Sequence, residues 1–289
     1  MTASPDLLDH LVERCTFPPA GATVTVALSG GADSSALLAL CIHADLEPTA
    51  IHVHHGLRSS ADDDAATAAR IAARFGVPLR VERAQIDDGP NLEARARAVR
   101  RALIGPMAMT GHTADDQAET VLLALLRGAG ARGLAAMRPG PGHPILDLRR
   151  AETRAVCDLL RLEPAEDPTN DERRFRRNRL RHEAIPMLGT ISERDIVPLL
   201  VRAADLLRED DELLERLSAD LDPSDATAIR SAPAPMARRA LRRWLDDGGY
   251  APDAAAIERV MAVARGEHVA CEISGGRRVA RSAGRLHVS

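Results

Sequence analysis

The chain has 289 residues, 45% of them hydrophobic, and a formal net charge of −4. That composition supports a buried core and excludes a disordered tail protein, while the 2% aromatic content argues against an aromatic platform for single-stranded nucleic acid. Lysine is absent from the sequence, which excludes a Lys Schiff base and a Walker phosphate loop.

The first third of the chain alternates predicted strands and helices. Apolar, β-branched runs predict strands at 23–28, 49–54 and 79–83, and helical patterns separate them at 34–43 and 62–75. This alternation predicts an α/β fold with a doubly wound parallel sheet, because parallel strands require crossover connections.

The remaining sequence predicts further helices and a change of domain. Helical composition at 91–103 is followed by a short strand within 107–112, a helix over 119–127, a Gly- and Pro-rich loop at 128–144, and helices at 151–160 and 191–217. Short helices at 233–245 and 253–264 and a hairpin near the end predict a small α+β domain. We therefore predict a first domain over 1–190, a connecting helix over 191–220 and a small basic domain over 221–289.

The cysteines and the start of the chain indicate no metal cluster and no targeting segment. Cys15, Cys41, Cys157 and Cys271 lie far apart without a CxxC pair, so buried reduced thiols are expected. No apolar run reaches the roughly 18 residues of a membrane span, and the first ten residues lack a signal-peptide pattern. We expect a cytoplasmic protein without membrane contact.

A glycine-rich loop follows the first predicted strand and precedes a helix. Adjacent glycines allow backbone N–H groups to approach an anion, and the helix start adds positive potential. An acid in this loop would repel a phosphate unless a divalent cation lay between them. An ordinary Gly turn is the alternative, but the segment resembles the SGGxDS loop of N-type ATP pyrophosphatases, which cleave ATP between its α- and β-phosphates; its residues are Ser29, Gly30, Gly31, Ala32, Asp33 and Ser34.

A second motif, residues 111–120, places three acids at a predicted helix start. Asp115 and Glu119 are four residues apart and share one helix face, with Asp116 beside them. Such acids hold a cation or a substrate ammonium group, or they only cap the helix dipole. The sequence of this motif alone does not decide between these two interpretations.

Four segments taken in order resemble the tRNA(Ile)-lysidine synthetase family. The family patterns HVNHGLR, GHxxDDQxETxLLxLxRGxGxxGLxGM, DxSN and RNxIR have counterparts at 52–58, 111–137, 167–170 and 177–181. A segment from Asn91 to Arg100 also matches. The chain departs from these patterns at His54, Arg101, Ala136 and Thr169, and none of these changes removes an acid or a glycine of the phosphate loop.

The resemblance implies a ligase that uses ATP and Mg²⁺ to adenylate C2 of the wobble cytidine of a CAU-anticodon tRNA(Ile) and then attaches free L-lysine. It implies that the loop residues 29–34 bind ATP, with Asp33 toward the metal, and that Asp115, Asp116 and Glu119 bind lysine or the metal. His112, Arg97 and Arg100 are candidates for the adenylated intermediate. The sequence leaves the oligomeric state open, a homodimer included.

Arginine clusters independently favour a nucleic-acid partner. Residues 172–182 hold six arginines against one acid, and two further clusters lie at 238–243 and 277–285. A solvated surface is the alternative for each cluster, but we expect tRNA contacts from Arg177, Asn178, Arg179, Arg181, Arg238, Arg239, Arg277 and Arg278.

Three other functions remain as alternatives to the ligase. A tRNA thiolase on the same scaffold normally needs paired cysteines, and these are missing from the sequence. An amide-forming pyrophosphatase is the second alternative. An inactive RNA-binding protein is the third, and the intact SGGADS and DDQAE segments argue against it.

Overall fold

The computed structural model describes residues 5–54, 61–84, 92–165, 175–246 and 252–289. It divides into two compact units, one ending at Asp205 and the other beginning at Leu206. The division falls inside one long helix, within the segment 191–220 that the sequence predicts as the connection. The motif residues 55–58 and 167–170 lie outside the described residues, and so does the side chain of Arg97.

The first unit contains a parallel sheet of three strands in the order β1-β2-β3. The strands are β1 (Thr23–Ala27), β2 (Glu47–His54) and β3 (Leu79–Arg83), and Thr25 lies opposite Thr49 in the register. On its other edge β1 forms one parallel bridge, through Val26, to Met109. The predicted strand within 107–112 is therefore a single bridge, and β1 lies where the strand order changes direction.

Helices follow each strand of this sheet. Their bounds are α1 (Pro5–Glu13), α2 (Ala32–His43), α3 (Ala61–Arg74), α4 (Leu92–Ile104), α5 (Ala114–Leu126), α6 (Ala131–Leu134), α7 (Arg150–Leu159), α8 (Arg176–Arg179), a π-helical turn (Leu180–Ala184), α9 (Ile185–Ser192) and α10 (Ile196–Leu217). The core is aliphatic, as the composition predicts, with Leu28, Leu37, Leu40 and Ile51 almost fully buried.

The helical prediction was wrong in several details, among them the start of α5, which lies at Ala114 rather than at 119, and α6, which lies inside the predicted loop. The sequence predicts one helix over 191–217, but Glu193 adopts a left-handed conformation (φ 53°) that ends α9 and separates it from α10. The short helix α8 and the π-helical turn were not predicted, because four or five residues contain too little periodicity to identify. The helices α1 and α11 were also not predicted.

The second unit packs three helices with an antiparallel sheet. Besides the part of α10 from Leu206 onward, its described elements are α11 (Ala226–Ser231), α12 (Ala234–Leu245), α13 (Ala254–Arg265), β4 (Ala270–Glu272), β5 (Arg278–Ser282) and β6 (Arg285–Val288). Leu241, Ile257, Val260 and Val279 form its buried core. The predicted hairpin joins β5 to β6 through Ala283 and Gly284, both at positive φ. The α/β class with a small second α+β domain is confirmed. Among the described residues, no helix combines the length and the apolar character of a membrane span.

Candidate active site

The glycine-rich loop lies between the end of β1 and the start of α2. Gly30 has φ 92°, and a Cβ atom there would lie 2.9 Å from the carbonyl oxygen of Asp64. The loop closes around Ser34, whose Oγ accepts from the N–H of Ser29 at 3.1 Å and donates to the Gly31 carbonyl at 3.0 Å. This position, at the carboxyl end of β1 beside the change in strand order, is where α/β sheets bind ligands.

Gly111 brings the second motif directly against this loop. A Cβ atom at Gly111 would lie 2.8 Å from the Asp33 carbonyl carbon and 2.8 Å from the Ser34 nitrogen. Any larger residue would push the two segments apart. The two motifs, about 80 positions apart in the sequence, therefore form one site.

The three acids of α5 contact arginines rather than only the helix dipole. Asp116 accepts from the N–H and the hydroxyl of Thr113, both at 3.0 Å, which completes a capping box. Its other oxygen lies 3.0 Å from Nη2 of Arg150. Asp115 accepts two hydrogen bonds from the guanidinium of Arg149, each at 3.1 Å, and one from the N–H of Arg150 at 2.8 Å.

Arg150 is the centre of the site. Its guanidinium contacts Asp116, Glu119 at 3.4 Å and Asp33 at 3.5 Å, so it joins the acids of α5 to the acid of the phosphate loop. Thr153, one turn later on α7, donates a hydrogen bond to Asp33. These three carboxylates outnumber the single positive charge of Arg150, so other arginines around the site are needed to balance them.

Glu119 is fully buried and lies among three arginines. Its Oε1 atom lies 2.8 Å from Nε of Arg181 and 3.4 Å from Arg150, and its Oε2 atom lies 3.3 Å from Nε of Arg177. Arg177 also donates to the hydroxyl of Thr120 at 3.0 Å. Two arginines that the sequence assigns to tRNA thus have an acidic partner about 60 positions away.

The pKa values of the acids differ with their surroundings. Burial raises the pKa of Asp33, against the opposing hydrogen bond from Thr153 and the charge of Arg150. Burial also disfavours ionisation of Asp116, yet the charge of Arg150 and the N–H of Thr113 outweigh it and hold the pKa of Asp116 low. The pKa of Asp115 is lowered in the same way, with burial opposed by the hydrogen bonds from Arg149 and Arg150.

Arg149 and Arg150 were missed by the sequence interpretation, although both contact the predicted acids. They begin α7, where a pair of arginines in an arginine-rich chain has no distinguishing pattern. The only sequence feature that could have indicated a role for these two arginines is their position shortly after the Gly- and Pro-rich loop.

The other predicted residues fall into separate groups. Desolvation and then the nearby charge of Arg177 lower the pKa of Arg100. Asn178 is buried, and Arg179 is exposed with Glu183 as its partner at 3.4 Å. In the second unit, Arg238 pairs with Glu258, Arg239 with Asp211, and Arg277 donates to the Leu245 carbonyl. Arg278 has an exposed side chain.

His52 and His54, from the first histidine motif, have structural contacts. His52 is buried with Nδ1 at 2.9 Å from the Leu28 carbonyl, and Nε2 of His54 lies 2.9 Å from Asp62. These contacts tie β2 to the residue after β1 and to α3. Among the described residues, no group of three His, Cys, Asp or Glu side chains is arranged to hold a metal ion by itself.

One departure from the family pattern has a local backbone consequence. Ala136, where the family pattern has Gly, adopts φ 50°, a conformation that glycine adopts more readily. Next to it, the buried Gln117 exchanges two hydrogen bonds with the backbone of Met137, at 2.8 and 2.9 Å. These bonds hold the strained residue in place beside α5.

All four cysteines are free thiols. Burial raises the pKa of Cys15 and of Cys41 to about 12, and that of Cys157 to about 11. A thiol must lose its proton to bind a metal or attack a disulfide, so these residues are suited to packing.

Comparisons with known proteins match both units. Residues 7–188 match the PP-loop domain family, and residues 225–287 match the TilS substrate binding domain. A tRNA(Ile)-lysidine synthase of Nocardia farcinica is 43% identical over 263 residues, which are 85% of this chain and 81% of that protein. A tRNA(Ile)-lysidine synthase of Mycolicibacterium paratuberculosis is 43% identical over 241 residues, 78% of this chain and 74% of the relative.

A solved structure supports the fold. The U34-tRNA thiolase NcsA from Methanococcus maripaludis, with its 4Fe-4S cluster, aligns with a TM-score of 0.57 and 16% identity, covering 70% of this chain and 79% of the other. At that identity the similarity concerns the fold alone.

Proposed function

This chain belongs to the tRNA(Ile)-lysidine synthase family, and on that premise we propose that it adenylates C2 of the wobble cytidine of CAU-anticodon tRNA(Ile) and then attaches lysine. Membership establishes an ATP-dependent ligase that modifies the wobble position of a tRNA. In the proposed two steps, ATP releases pyrophosphate on adenylation, and the ε-amine of free lysine displaces AMP.

The observation that carries this proposal is the connection of the two motifs through Arg150. A phosphate loop and an acid cluster at opposite ends of one guanidinium suit a reaction that joins a nucleotide to a cationic amino acid. Ser29, Gly30, Gly31, Ala32 and Ser34 would hold the pyrophosphate portion of ATP through N–H groups and hydroxyls. The contact of Gly111 with the loop keeps the distance between the two subsites short.

Asp33 fits a role toward Mg²⁺. Magnesium in nucleotide sites uses one or two carboxylates together with phosphate oxygens, so a single acid beside a phosphate loop is sufficient. The carboxylate of Asp33 is 25% exposed, and its present partners are Thr153 and Arg150. Mg²⁺ would neutralise charge on the phosphates of ATP, while Asp33 would exchange its contact with Arg150 for the metal.

Asp115, Asp116 and Glu119 would recognise the lysine. Their arginine partners show that this region stabilises positive charge, which a lysine ammonium group also carries. Since Glu119 is fully buried among three guanidiniums, Asp115 and Asp116 are the acids more open to a substrate. Arg97, Arg100 and His112 would contact the adenylated nucleotide.

The tRNA backbone would be bound by exposed arginines. Arg179, Arg238 and Arg278 are the exposed members of the predicted set, whereas Arg177 and Arg181 contact Glu119 and would act close to the reacting nucleotide. Arg179 and Arg238 would exchange exposed ion pairs with Glu183 and Glu258 for phosphates. Arg239 and Arg277 would have to give up less exposed contacts.

Mass spectrometry of CAU-anticodon tRNA(Ile), after incubation with the enzyme, ATP and isotope-labelled lysine, tests the proposal. We expect the mass of the tRNA to increase by the amount that lysidine formation adds. The increase should include the isotope label of the lysine and should require ATP. Asp33→Ala should abolish adenylation while tRNA binding stays within about threefold, because the negative charge of Asp33 makes no favourable contact with a tRNA phosphate. A tRNA without labelled lysine, or normal turnover of the Asp33→Ala variant, would contradict the proposal.

A further inference from the structure

The hydroxyl of Thr110 has three hydrogen-bonding partners just before the second motif. Its Oγ1 atom lies 2.8 Å from Nδ1 of His112, 2.7 Å from Nδ1 of His143 and 2.9 Å from the carbonyl oxygen of Gly142. The two imidazole rings meet edge to face, with centroids 4.9 Å apart and an interplanar angle of 88°. Neither Thr110 nor His143 belongs to the motifs described above.

Counting protons at this hydroxyl determines the tautomer of both histidines. A hydroxyl donates one hydrogen bond and accepts two. The Gly142 carbonyl can only accept, and it also accepts from the N–H of Thr110 at 3.0 Å. If Thr110 donates to that carbonyl, its two lone pairs accept from Nδ1–H of His112 and from Nδ1–H of His143. All three contacts are satisfied only in this arrangement.

His112 lies between the phosphate loop and the acids of α5. Its neighbour Gly111 packs against Asp33 and Ser34. Its other neighbour, Thr113, donates from both its N–H and its hydroxyl to Asp116 at the start of α5, each at 3.0 Å. The ring therefore stands where the nucleotide and the amino acid of the proposed reaction would meet.

We propose that Thr110 and His143 are positioning residues that hold the proton of neutral His112 on Nδ1 and so leave Nε2 as a proton acceptor for the lysine step. This inference rests on the proposed function. In that step the neutral ε-amine forms a bond to C2, the C2–O bond to the adenylate breaks, and AMP leaves with the electron pair. The proton lost by the attacking nitrogen passes to Nε2 of His112.

A hydrogen-bond partner at one ring nitrogen is the usual way in which a protein selects a histidine tautomer. The wrong tautomer presents an N–H where a lone pair is needed, so it cannot accept the proton. Thr110→Val removes the acceptor while preserving side-chain volume, and Thr110→Ser retains it. These two variants form a matched pair.

Nitrogen-15 NMR of histidine-labelled enzyme tests the tautomer without any substrate. The His112 signals are identified by their absence from the spectrum of His112→Gln. At a pH where the ring is neutral, wild type and Thr110→Ser should show a protonated Nδ1 and an unprotonated Nε2. Thr110→Val should shift both signals toward a mixture of tautomers. A wild-type His112 protonated on Nε2 would overturn the inference.

Separate assays of the two half-reactions test the role. Thr110→Val should slow lysine transfer by about 10- to 100-fold, the usual cost of losing a supporting hydrogen bond in an active site. The rate of adenylation, measured as tRNA-dependent ATP–pyrophosphate exchange, should stay within about twofold of wild type. Thr110→Ser should restore lysine transfer. A Thr110→Val variant that keeps normal lysine transfer would overturn the role of the hydroxyl.

His143 provides a second pair of variants if Thr110→Val fails to fold. The amide of His143→Asn can still donate to Thr110, whereas His143→Phe cannot, so only the second should shift the His112 signals and slow lysine transfer. If wild type forms no lysidine, the proposed function fails. The NMR comparison then still decides whether Thr110 and His143 set the tautomer.

Discussion

Arginine has different surroundings in the two units of this protein. In the first unit, Arg149, Arg150, Arg177 and Arg181 are partly buried and share their acids, so that Glu119 alone contacts three of them. In the second unit, side chains such as Arg238 and Arg285 are about half exposed and each contacts one acid. Burial, rather than residue type, therefore decides whether an arginine organises a site or is available to an external phosphate.

Because water screens exposed charges, the two kinds of arginine ion pair contribute differently to the stability of the fold. Exposed ion pairs contribute about 0 to 1 kcal/mol, whereas removal of one partner of a buried pair costs about 3 to 5 kcal/mol because an uncompensated charge stays in the interior. The four predictions below test this difference, in order of decreasing expected effect.

Glu119→Gln should have the largest effect on stability. The change leaves the guanidiniums around this fully buried position without their shared acid, and we expect the free energy of unfolding to fall by about 3 to 5 kcal/mol. Urea unfolding measures the change, with Glu183→Gln as the control, since Glu183 pairs with Arg179 at the surface. Equal losses for the two variants would remove the distinction between buried and exposed networks.

Asp33 and Asp116 should respond in opposite directions to neutralisation. The pKa of Asp116 is lowered in the folded protein, so its charge stabilises the fold above the ordinary pKa of about 4, and that stability is lost as pH falls through the lowered value. Asp116→Asn should therefore lose about 1 to 3 kcal/mol at pH 7, and the difference from wild type should shrink in acid.

The pKa of Asp33 is raised, so its ionisation weakens the fold as pH rises from the ordinary pKa through the raised one. Asp33→Asn should be at least as stable as wild type at pH 7 while losing adenylation. Thermal midpoints measured from pH 3 to pH 8 compare both variants with wild type. A large loss of stability for Asp33→Asn at neutral pH would show that its contacts with Thr153 and Arg150 outweigh its burial.

The second unit contains its own comparison between a buried and an exposed arginine. The pair of Arg239 with Asp211 is 16% and 13% exposed, whereas the pair of Arg238 with Glu258 is 49% exposed on both sides. Arg239→Ala should cost about 1 to 3 kcal/mol of unfolding free energy, and Arg238→Ala less than about 1 kcal/mol. Similar losses measured by urea unfolding would contradict the dependence on burial.

Arg179 and Arg278 should affect tRNA binding more than stability. Each phosphate contact contributes about 0.7 to 0.9 to the dependence of log K on log salt, so Arg179→Ala or Arg278→Ala should flatten that slope by about one unit. The thermal midpoint should hardly change, because both side chains are exposed. Binding measured across a salt series provides the slope. A lowered midpoint with an unaltered slope would assign the residue to a structural ion pair instead.

Much of the fold could be predicted from the sequence because its signals are local. The strand predicted over 79–83 has the same first and last residues as β3. The helix predicted over 62–75 differs from α3 by one residue at each end. The glycine loop and the acids of α5 could be identified because φ/ψ freedom and helix spacing depend on neighbours in the chain. Local signals failed where an element was very short, as in α8, or where Glu193 divided a continuous helical pattern.

The partners of those residues could not be predicted. The six arginines of 172–182 have one acid in their own segment, which suggested that they were unpaired, yet Glu119 reaches Arg177 and Arg181 from about 60 positions away. Arg150 and Thr110 likewise gain their roles from side chains on other segments. The sequence alone determined which side chains are available at the ends of the strands. Only the tertiary structure decided which charges share one buried environment, because Coulomb interactions and desolvation depend on distance in space.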